Sequence, residues 1–190
     1  MLYYNSKQLS CSYEFGKELL EKICCQRTIG QALVFLCIGS DRATGDSLGP
    51  IIGYKLKQRR FSSAYIYGTL ENPVHAKNLG DVLREIHDTF DHPFIVAIDA
   101  SLGSSSHVGY FTLGEGSLKP GAGVGKELPQ VGNLYVTGIV NLSGFLENSL
   151  LQTTRLYTVM DLADKISMGI FYCLAKLEQK SSAHEAFLTS

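Results

Sequence analysis

Continuous apolar runs, each followed by glycine or aspartate, are the feature of this sequence that most restricts its fold. Residues 32–38 form one run and are followed by Gly39, and residues 94–98 form another and are followed by Asp99. Runs of this kind are typical of strands that are buried on both faces of a parallel sheet. Between them, apolar residues recur at helical spacing from Leu48 to Leu56. The alternation therefore predicts an α/β protein.

The remaining periodicities extend this prediction to a three-layer α/β/α sandwich with a mostly parallel central sheet and an antiparallel edge. Further strands are predicted over residues 64–67, 108–113 and 134–140. Further helices are predicted over residues 12–24, 79–86, 144–151 and 159–177. We expect a single domain over residues 1–190, in which residues 1–30 form an N-terminal helical extension and residues 181–190 a flexible tail.

Charge and cysteine content exclude several classes of function. Seventeen basic and 18 acidic side chains give a net charge of -1, which provides no strong attraction to nucleic acid or to an anionic membrane. No apolar run approaches the ~20 residues needed to span a bilayer, and the N-terminus lacks a signal-peptide pattern, so we expect a cytoplasmic protein. The five cysteines include the adjacent Cys24 and Cys25 but no CxxC pair, which indicates reduced structural thiols.

Two carboxylates are predicted near the carboxyl ends of two apolar strands, where open α/β sheets form their sites. Asp99 ends an apolar strand, and Asp46 lies in the loop that leads into the helix beginning near Leu48. Asp46 by itself could equally well cap that helix. If the two carboxylates converge, one holds a proton while the other stays charged, which is the arrangement needed to activate water and to protonate a leaving amine. The same pair, with His75, could instead hold a divalent metal.

Other candidate ligand-binding residues lie in the loops at the same edge of the predicted sheet. Asp41 and Thr44 follow the apolar run at residues 32–38, and Glu71 and His75 follow the strand predicted over residues 64–67. A glycine-rich stretch, predicted to be a mobile loop from Gly114 to Gly125, would let the backbone approach a ligand closely. The glycines that we expect to contact substrate are Gly121, Gly123 and Gly125.

The segment IGSDRATGDSLGP, residues 38–50, closely resembles the first signature of the YyaC-type spore proteases. The resemblance continues through GTLENPVHA at residues 68–76, AIDA at 97–100 and KPGAGVG at 119–125. It extends over about residues 32–176. That family is similar to the spore germination protease and, more distantly, to the hydrogenase maturation proteases. The resemblance therefore implies a phosphorylase/hydrolase-like α/β/α fold of the hydrogenase maturation protease type.

The resemblance also implies roles for individual residues. In the germination protease, a TPDALGP-like segment and an aspartate at a strand end supply two acidic residues that are essential for cleavage, and these positions match Asp46 and Asp99. Gly45 stands where that protease has proline, and residues 121–125 match its glycine loop. In the hydrogenase maturation proteases, two acidic positions and a histidine bind nickel of the immature substrate. No histidine stands at a matching downstream position here.

The resemblance thus predicts a sporulation-associated peptidase that hydrolyses peptide bonds of a spore or sporulation protein, in the cytoplasm of a sporulating cell or in the spore. Its partner would be a peptide or protein substrate, without nucleic acid, membrane or cofactor, and a homodimer is one open alternative for its oligomeric state. Two other functions remain open. One is a catalytically inactive module of the same fold that binds a peptide or protein. The other is a metal-dependent hydrolase that uses Asp46, Asp99 and His75.

Overall fold

The computed structural model describes residues 1–59, 61–120, 128–144 and 147–188, which contain six strands and five α-helices. The strands are β1 (Leu2–Asn5), β2 (Leu33–Cys37), β3 (Tyr65–Tyr67), β4 (Phe94–Gly103), β5 (Tyr110–Glu115) and β6 (Leu134–Leu142). The helices are α1 (Cys11–Gln26), α2 (Leu48–Gln58), α3 (Leu79–Thr89), α4 (Glu147–Gln152) and α5 (Leu156–Leu188).

The strands form one sheet in the order β1-β5-β6-β4-β2-β3. Strand β2 pairs in parallel with β3 and β4, and β4 pairs in parallel with β6. Strand β5 is antiparallel to both β6 and β1. The predicted mostly parallel sheet with an antiparallel edge is therefore confirmed.

Helices cover both faces of this sheet, because the side chains of its central strands alternate between two hydrophobic cores. Phe35 and Cys37 of β2 belong to the larger core, together with buried residues of α1, α2 and α5. Val34 and Leu36 belong to the smaller core, together with residues of α3. Alternation of this kind follows from the two-residue period of a strand. The predicted three-layer α/β/α sandwich is confirmed.

The sequence predicts that residues 1–30 form a helical extension, but residues 2–5 form a strand of the sheet before helix α1 begins. Strand β1 adds an edge to β5, with Tyr4 opposite Phe111. The ring of Tyr4 stacks on Phe111 at a centroid distance of 5.2 Å and meets the edge of Phe15 on α1. A strand of four residues with one buried side chain has too little periodicity to be recognised from the sequence.

Helix α5 also extends farther than predicted, from Leu156 to Leu188. The flexible tail was predicted to begin at Ser181, but the backbone continues as helix beyond that residue. The sequence from 176 to 188 holds neither glycine nor proline and includes several strong helix formers, so nothing in it ends the helix at Ser181.

All five cysteines are free. Cys11, Cys37 and Cys173 are buried, and burial raises the pKa of the Cys173 thiol to about 12. Cys24 and Cys25 are exposed on the last turns of α1. No helix in the described part of the chain combines the length and the apolar character needed to cross a bilayer.

Candidate active site

The sheet changes its winding direction between β2 and β4. The chain leaves β2 through α2 on one face and reaches β3 on one side of β2, and it then returns through α3 on the opposite face to β4 on the other side. A reversal of winding between two parallel strands leaves a crevice at their carboxyl-terminal side. The loop after β2, the loop after β3 and the second half of β4 line this crevice.

A cleft of about 430 Å³ occupies this position. Its lining contains two carboxyl side chains, an imidazole, three cations, two hydroxyl-bearing residues of the central strands and several apolar side chains. The polar and charged lining residues are Ser40, Arg42, Asp46, His75, Lys77, Asp99, Ser101, Lys119 and Thr137.

Asp99 lies where β4 runs beyond its neighbour. The last residue of β4 that pairs with β2 is Ile98, opposite Cys37, whereas Asp99 pairs only with Thr137 of β6. The Ala100 backbone N–H donates a hydrogen bond to Oδ1 of Asp99 at 2.8 Å. Asp99 is only 7% exposed, so its carboxyl group lies in surroundings that contain little water.

Asp46 is held by a short 3-10 turn, Gly45–Ser47, immediately before α2. Its backbone carbonyl accepts a hydrogen bond from the Ser40 N–H at 3.0 Å. Ser47, and not Asp46, occupies the N-cap position of α2, and no side-chain capping bond forms there. The interpretation of Asp46 as a helix cap is therefore wrong. Burial raises the pKa of Asp46, and a hydrogen bond from the Ser40 backbone and the nearby His75 imidazole partly offset this rise.

Two glycines allow the loop that carries Asp46 and the start of α2 to lie directly against the end of β2. A Cβ atom on Gly39, whose φ is +141°, would stand 2.0 Å from the Asp46 carbonyl oxygen. A Cβ atom on Gly49 would stand 2.1 Å from the Ile38 carbonyl oxygen. Real Cβ atoms do not approach backbone oxygens so closely, so only glycine fits at either position.

His75 enters the cleft from a loop that the side chain of Asn78 organises. Asn78 Oδ1 accepts the His75 backbone N–H at 2.8 Å, and Asn78 Nδ2 donates to the Pro73 carbonyl at 3.0 Å. His75 Nδ1 is buried, and no described residue forms a hydrogen bond with it. The imidazole of His75 lines the cleft, and this buried ring nitrogen keeps an unmet capacity for a hydrogen bond within the described structure.

Replacement of Asn78 by alanine is expected to loosen this loop and to lower stability by about 1–2 kcal/mol, because two backbone groups lose their partners. For a domain of this size the melting temperature should fall by about 2–8 °C. Asn78→Asp is the matched control, since its carboxylate keeps the acceptor for the His75 N–H. Its loss of stability should therefore be smaller than that of Asn78→Ala. Thermal unfolding followed by circular dichroism measures both variants, and equal melting temperatures for Asn78→Ala and the wild type would contradict this role.

Not all of the predicted site residues reach this cleft. Asp41 and Thr44 line a second, shallower cleft together with apolar residues of α2 and α5. Glu71 is exposed and lines neither cleft. The physical reason is a tight turn in which Thr69 and Asn72 exchange hydrogen bonds and leave Glu71 at the turn's outer side. Gly121, Gly123 and Gly125 lie outside the described residues.

The prediction that a loop begins at Gly114 is wrong. Gly114 belongs to β5, and the ring of Tyr135 fills the space that a side chain at Gly114 would need. Leu118 then forms a two-way backbone bridge with Val131, with N···O distances of 2.8 and 2.9 Å. The chain up to Leu118 is therefore hydrogen-bonded to neighbouring backbone, and the correction applies to the predicted loop as far as this bridge.

Three basic residues of the cleft carried no predicted role, namely Arg42, Lys77 and Lys119. All three lie within or directly beside motifs that the sequence analysis singled out, because Arg42 is in the 38–50 segment, Lys77 follows the 68–76 segment and Lys119 begins the 119–125 segment. Their position in those motifs was the available signal. Their convergence depends on the topology of the sheet.

Asp46, Asp99 and His75 line the same cleft, as the hypothesis of a metal-dependent hydrolase requires. Among the described residues, however, no group of three His, Cys, Asp or Glu side chains is arranged to hold a metal ion. The use of a divalent metal therefore stays a prediction that a chelator experiment can test.

The raised pKa of Asp46 has a consequence for stability. The folded chain binds the Asp46 proton more tightly than the unfolded chain does, so this carboxyl group disfavours folding at pH 7, and the disadvantage disappears as the pH falls below its ordinary pKa of 3.8. Asp46→Asn should therefore melt above the wild type at pH 7, because asparagine carries no charge that burial would penalise. Melting curves from pH 7 to pH 3 should show this difference shrinking, and a lower melting temperature for the variant at pH 7 would contradict it.

The fold and the cleft together define an α/β/α sandwich with two carboxyl side chains in one cleft at its topological switch point. The chain belongs to the family described as protein of unknown function (DUF1256), whose match covers residues 1–169. It is 50% identical over 145 residues to the uncharacterized protein YyaC of Bacillus subtilis (strain 168), and the alignment covers 76% of this chain and 71% of YyaC. The similarity to YyaC inferred from the motifs is therefore confirmed.

Among solved structures, the [NiFe] hydrogenase maturation protease HycI from Thermococcus kodakarensis KOD1 is similar with a TM-score of 0.46 and 13% sequence identity. That comparison covers 80% of this chain and 98% of HycI.

Proposed function

We propose that this protein is a peptidase in which Asp46 and Asp99 hydrolyse a peptide bond. The observation that carries the proposal is that both aspartates, one from the loop after β2 and one from within β4, line one cleft at the switch point of the sheet. Ser47 rather than Asp46 occupies the N-cap position of α2, and both carboxyl groups have lost much of their contact with water. Carboxylates in such surroundings are suited to general acid–base catalysis.

The two aspartates take different roles in this mechanism. Burial raises the pKa of Asp46, which favours Asp46 as the general acid of the two. Asp99 accepts the Ala100 N–H, an interaction that a carboxylate accepts well, and is the general base. Asp99 takes a proton from water, and the resulting hydroxide attacks the peptide carbonyl carbon. Asp46 donates its proton to the amide nitrogen as the C–N bond breaks, which releases a carboxylic acid and an amine.

The residues around the pair can position the substrate. The imidazole of His75 lines the cleft with the two aspartates and can contact the substrate there. Leu102, Leu118 and Leu151 provide an apolar lining that excludes water from the reacting bond. The sequence motifs that resemble the YyaC-type spore proteases extend the proposal to its setting, in which the substrate is a protein of the spore or of the sporulating cell.

The test is a search for new chain termini. The purified protein is incubated with a protein extract from spores and, separately, with small acid-soluble spore proteins, and the new termini are identified by mass spectrometry. Asp46→Asn and Asp99→Asn should produce none of the termini that the wild type produces. Asp41→Asn is the matched control, because Asp41 lies in the same loop as Asp46 but lines the second cleft. A chelator added in parallel separates metal-dependent from metal-independent cleavage.

Termini that appear equally with the wild type and with both cleft variants would overturn the acid–base roles of the two aspartates. Absence of any new terminus from the wild type, with or without added divalent metal, would favour the alternative of a module that binds a peptide or protein without cleaving it.

A further inference from the structure

Three cations converge on the cleft from three separate parts of the chain. Arg42 lies in the loop after β2, Lys77 in the segment between β3 and α3, and Lys119 in the segment after β5. The whole chain has a net charge of -1, so a cluster of three positive side chains at one cleft is a local feature and does not follow from the overall composition.

Among the described residues, these three charges have no salt-bridge partner. Within the described ranges, none of the three side chains forms an ion pair, whereas Lys22 contacts Glu18 and Glu115, and Lys55 contacts Asp164. The three cations outnumber the two carboxyl groups, Asp46 and Asp99, that line the same cleft. A ligand that brings negative charge among the three cations is therefore attracted to the cleft.

From this convergence we propose that the cleft recognises a polypeptide that carries carboxylate groups beside the bond held at Asp46 and Asp99. The carboxylates come either from Asp and Glu side chains of the bound segment or from the C-terminus of the substrate. The inference rests on the proposed function for the location of the bound segment, and it adds the chemical class of that segment. The apolar part of the lining, including Leu118 and Leu151, accommodates the intervening apolar side chains.

Binding of defined probes tests the proposal without reference to cleavage. The probes are a fluorescently labelled peptide in which Glu alternates with Ala and the same peptide with Gln in place of Glu, each made with a free and with an amidated C-terminus. Fluorescence anisotropy is measured with the Asp46→Asn chain, so that the probes stay intact. We expect an acidic probe to bind at least about tenfold more tightly than the neutral amidated probe at low salt, and to lose this advantage as salt is raised.

The variants separate the cleft from the charge of the whole molecule. Replacing all three cleft cations with glutamine should weaken binding of the acidic probe by about tenfold or more. The control replaces three other exposed lysines, none of which lines the cleft or forms an ion pair with a described residue, and should weaken binding less than about twofold. The cleft variant is Arg42→Gln, Lys77→Gln and Lys119→Gln, and the control is Lys7→Gln, Lys17→Gln and Lys57→Gln.

The outcomes distinguish this inference from the proposed function. Loss of binding on exchange of Glu for Gln assigns the carboxylates to side chains, and loss on amidation assigns them to the C-terminus. Equal binding of acidic and neutral probes, absence of binding by every acidic probe, or equal loss in the cleft and control variants would overturn the inference. Tight binding of the acidic probe by a protein that cleaves nothing would support the inference and contradict the proposed peptidase function. Cleavage of a neutral substrate with no preference for acidic segments would support the peptidase function and contradict the inference.

Discussion

Asp46→Asn and Asp99→Asn are each expected to reduce peptide hydrolysis by at least about a thousandfold. Asparagine has nearly the same shape as aspartate, but it can neither take a proton from water nor donate one to the leaving nitrogen. General acid–base catalysis by one positioned group contributes about 10²–10⁴ in rate, so loss of either partner removes most of the chemistry. The measurement is kcat and KM on a peptide that spans a cleavage site found by terminus analysis.

The double variant should be little worse than either single one, because the two groups act in the same step and their effects do not add. Circular dichroism and thermal unfolding must show that each variant is folded, and Asp41→Asn must keep its rate. A rate within tenfold of the wild type for Asp99→Asn would remove Asp99 from the mechanism. A variant that melts far below the wild type would indicate a structural role for that aspartate.

Gly49→Ala is expected to destabilise the fold by about 3 kcal/mol or more, which corresponds to a fall in melting temperature of about 10 °C. The new Cβ atom would stand 2.1 Å from the Ile38 carbonyl oxygen and 2.8 Å from two other backbone atoms of Ile38. A flexible side chain could move aside, but a backbone atom in a buried parallel strand can move only if α2 or β2 shifts. Such a shift would also displace the turn that carries Asp46, so hydrolysis should fall together with stability.

Gly80→Ala is the control for intrinsic helix propensity. Gly80 lies in the first turn of α3, and a Cβ atom there would meet nothing within 4 Å. Alanine at this position should leave stability unchanged or raise it by about 0.4–1 kcal/mol, because it reduces the conformational freedom of the unfolded chain. Equal melting temperatures for Gly49→Ala and Gly80→Ala would contradict the close approach of α2 to β2.

The central strands were predictable because their own sequence carries the evidence. The residues of β2 and the first half of β4 are almost all apolar, and burial on both faces of a sheet requires such runs. Strand β1 was not predictable, since Tyr4 becomes buried only through Phe15 and Phe111, which are distant in the sequence. The second half of β4, from Asp99 to Gly103, is likewise a strand only because β6 pairs with it.

For the candidate site, the apolar runs of the sequence indicate at which edge of the sheet the loops lie, because the carboxyl ends of parallel strands lie at the same edge. Asp46, His75 and Asp99 could therefore be assigned to one edge from their positions after apolar runs. The direction of each side chain within its loop depended on contacts between distant parts of the chain. Asp41 and Asp46 share a loop, yet they line different clefts, because the turn that carries Asp46 packs against Gly39.

The convergence of Arg42, Lys77 and Lys119 on one cleft depends on the tertiary structure. Each is an ordinary basic residue in its own segment, and a charged residue in an exposed loop has no local preference that indicates its neighbours. Their convergence follows from the order β6-β4-β2-β3 and from the reversal of winding between β2 and β4, which bring three loops from distant parts of the chain around one cleft. Sequence periodicity determines which residues are buried in a strand, whereas the crossover connections determine which loops share a site.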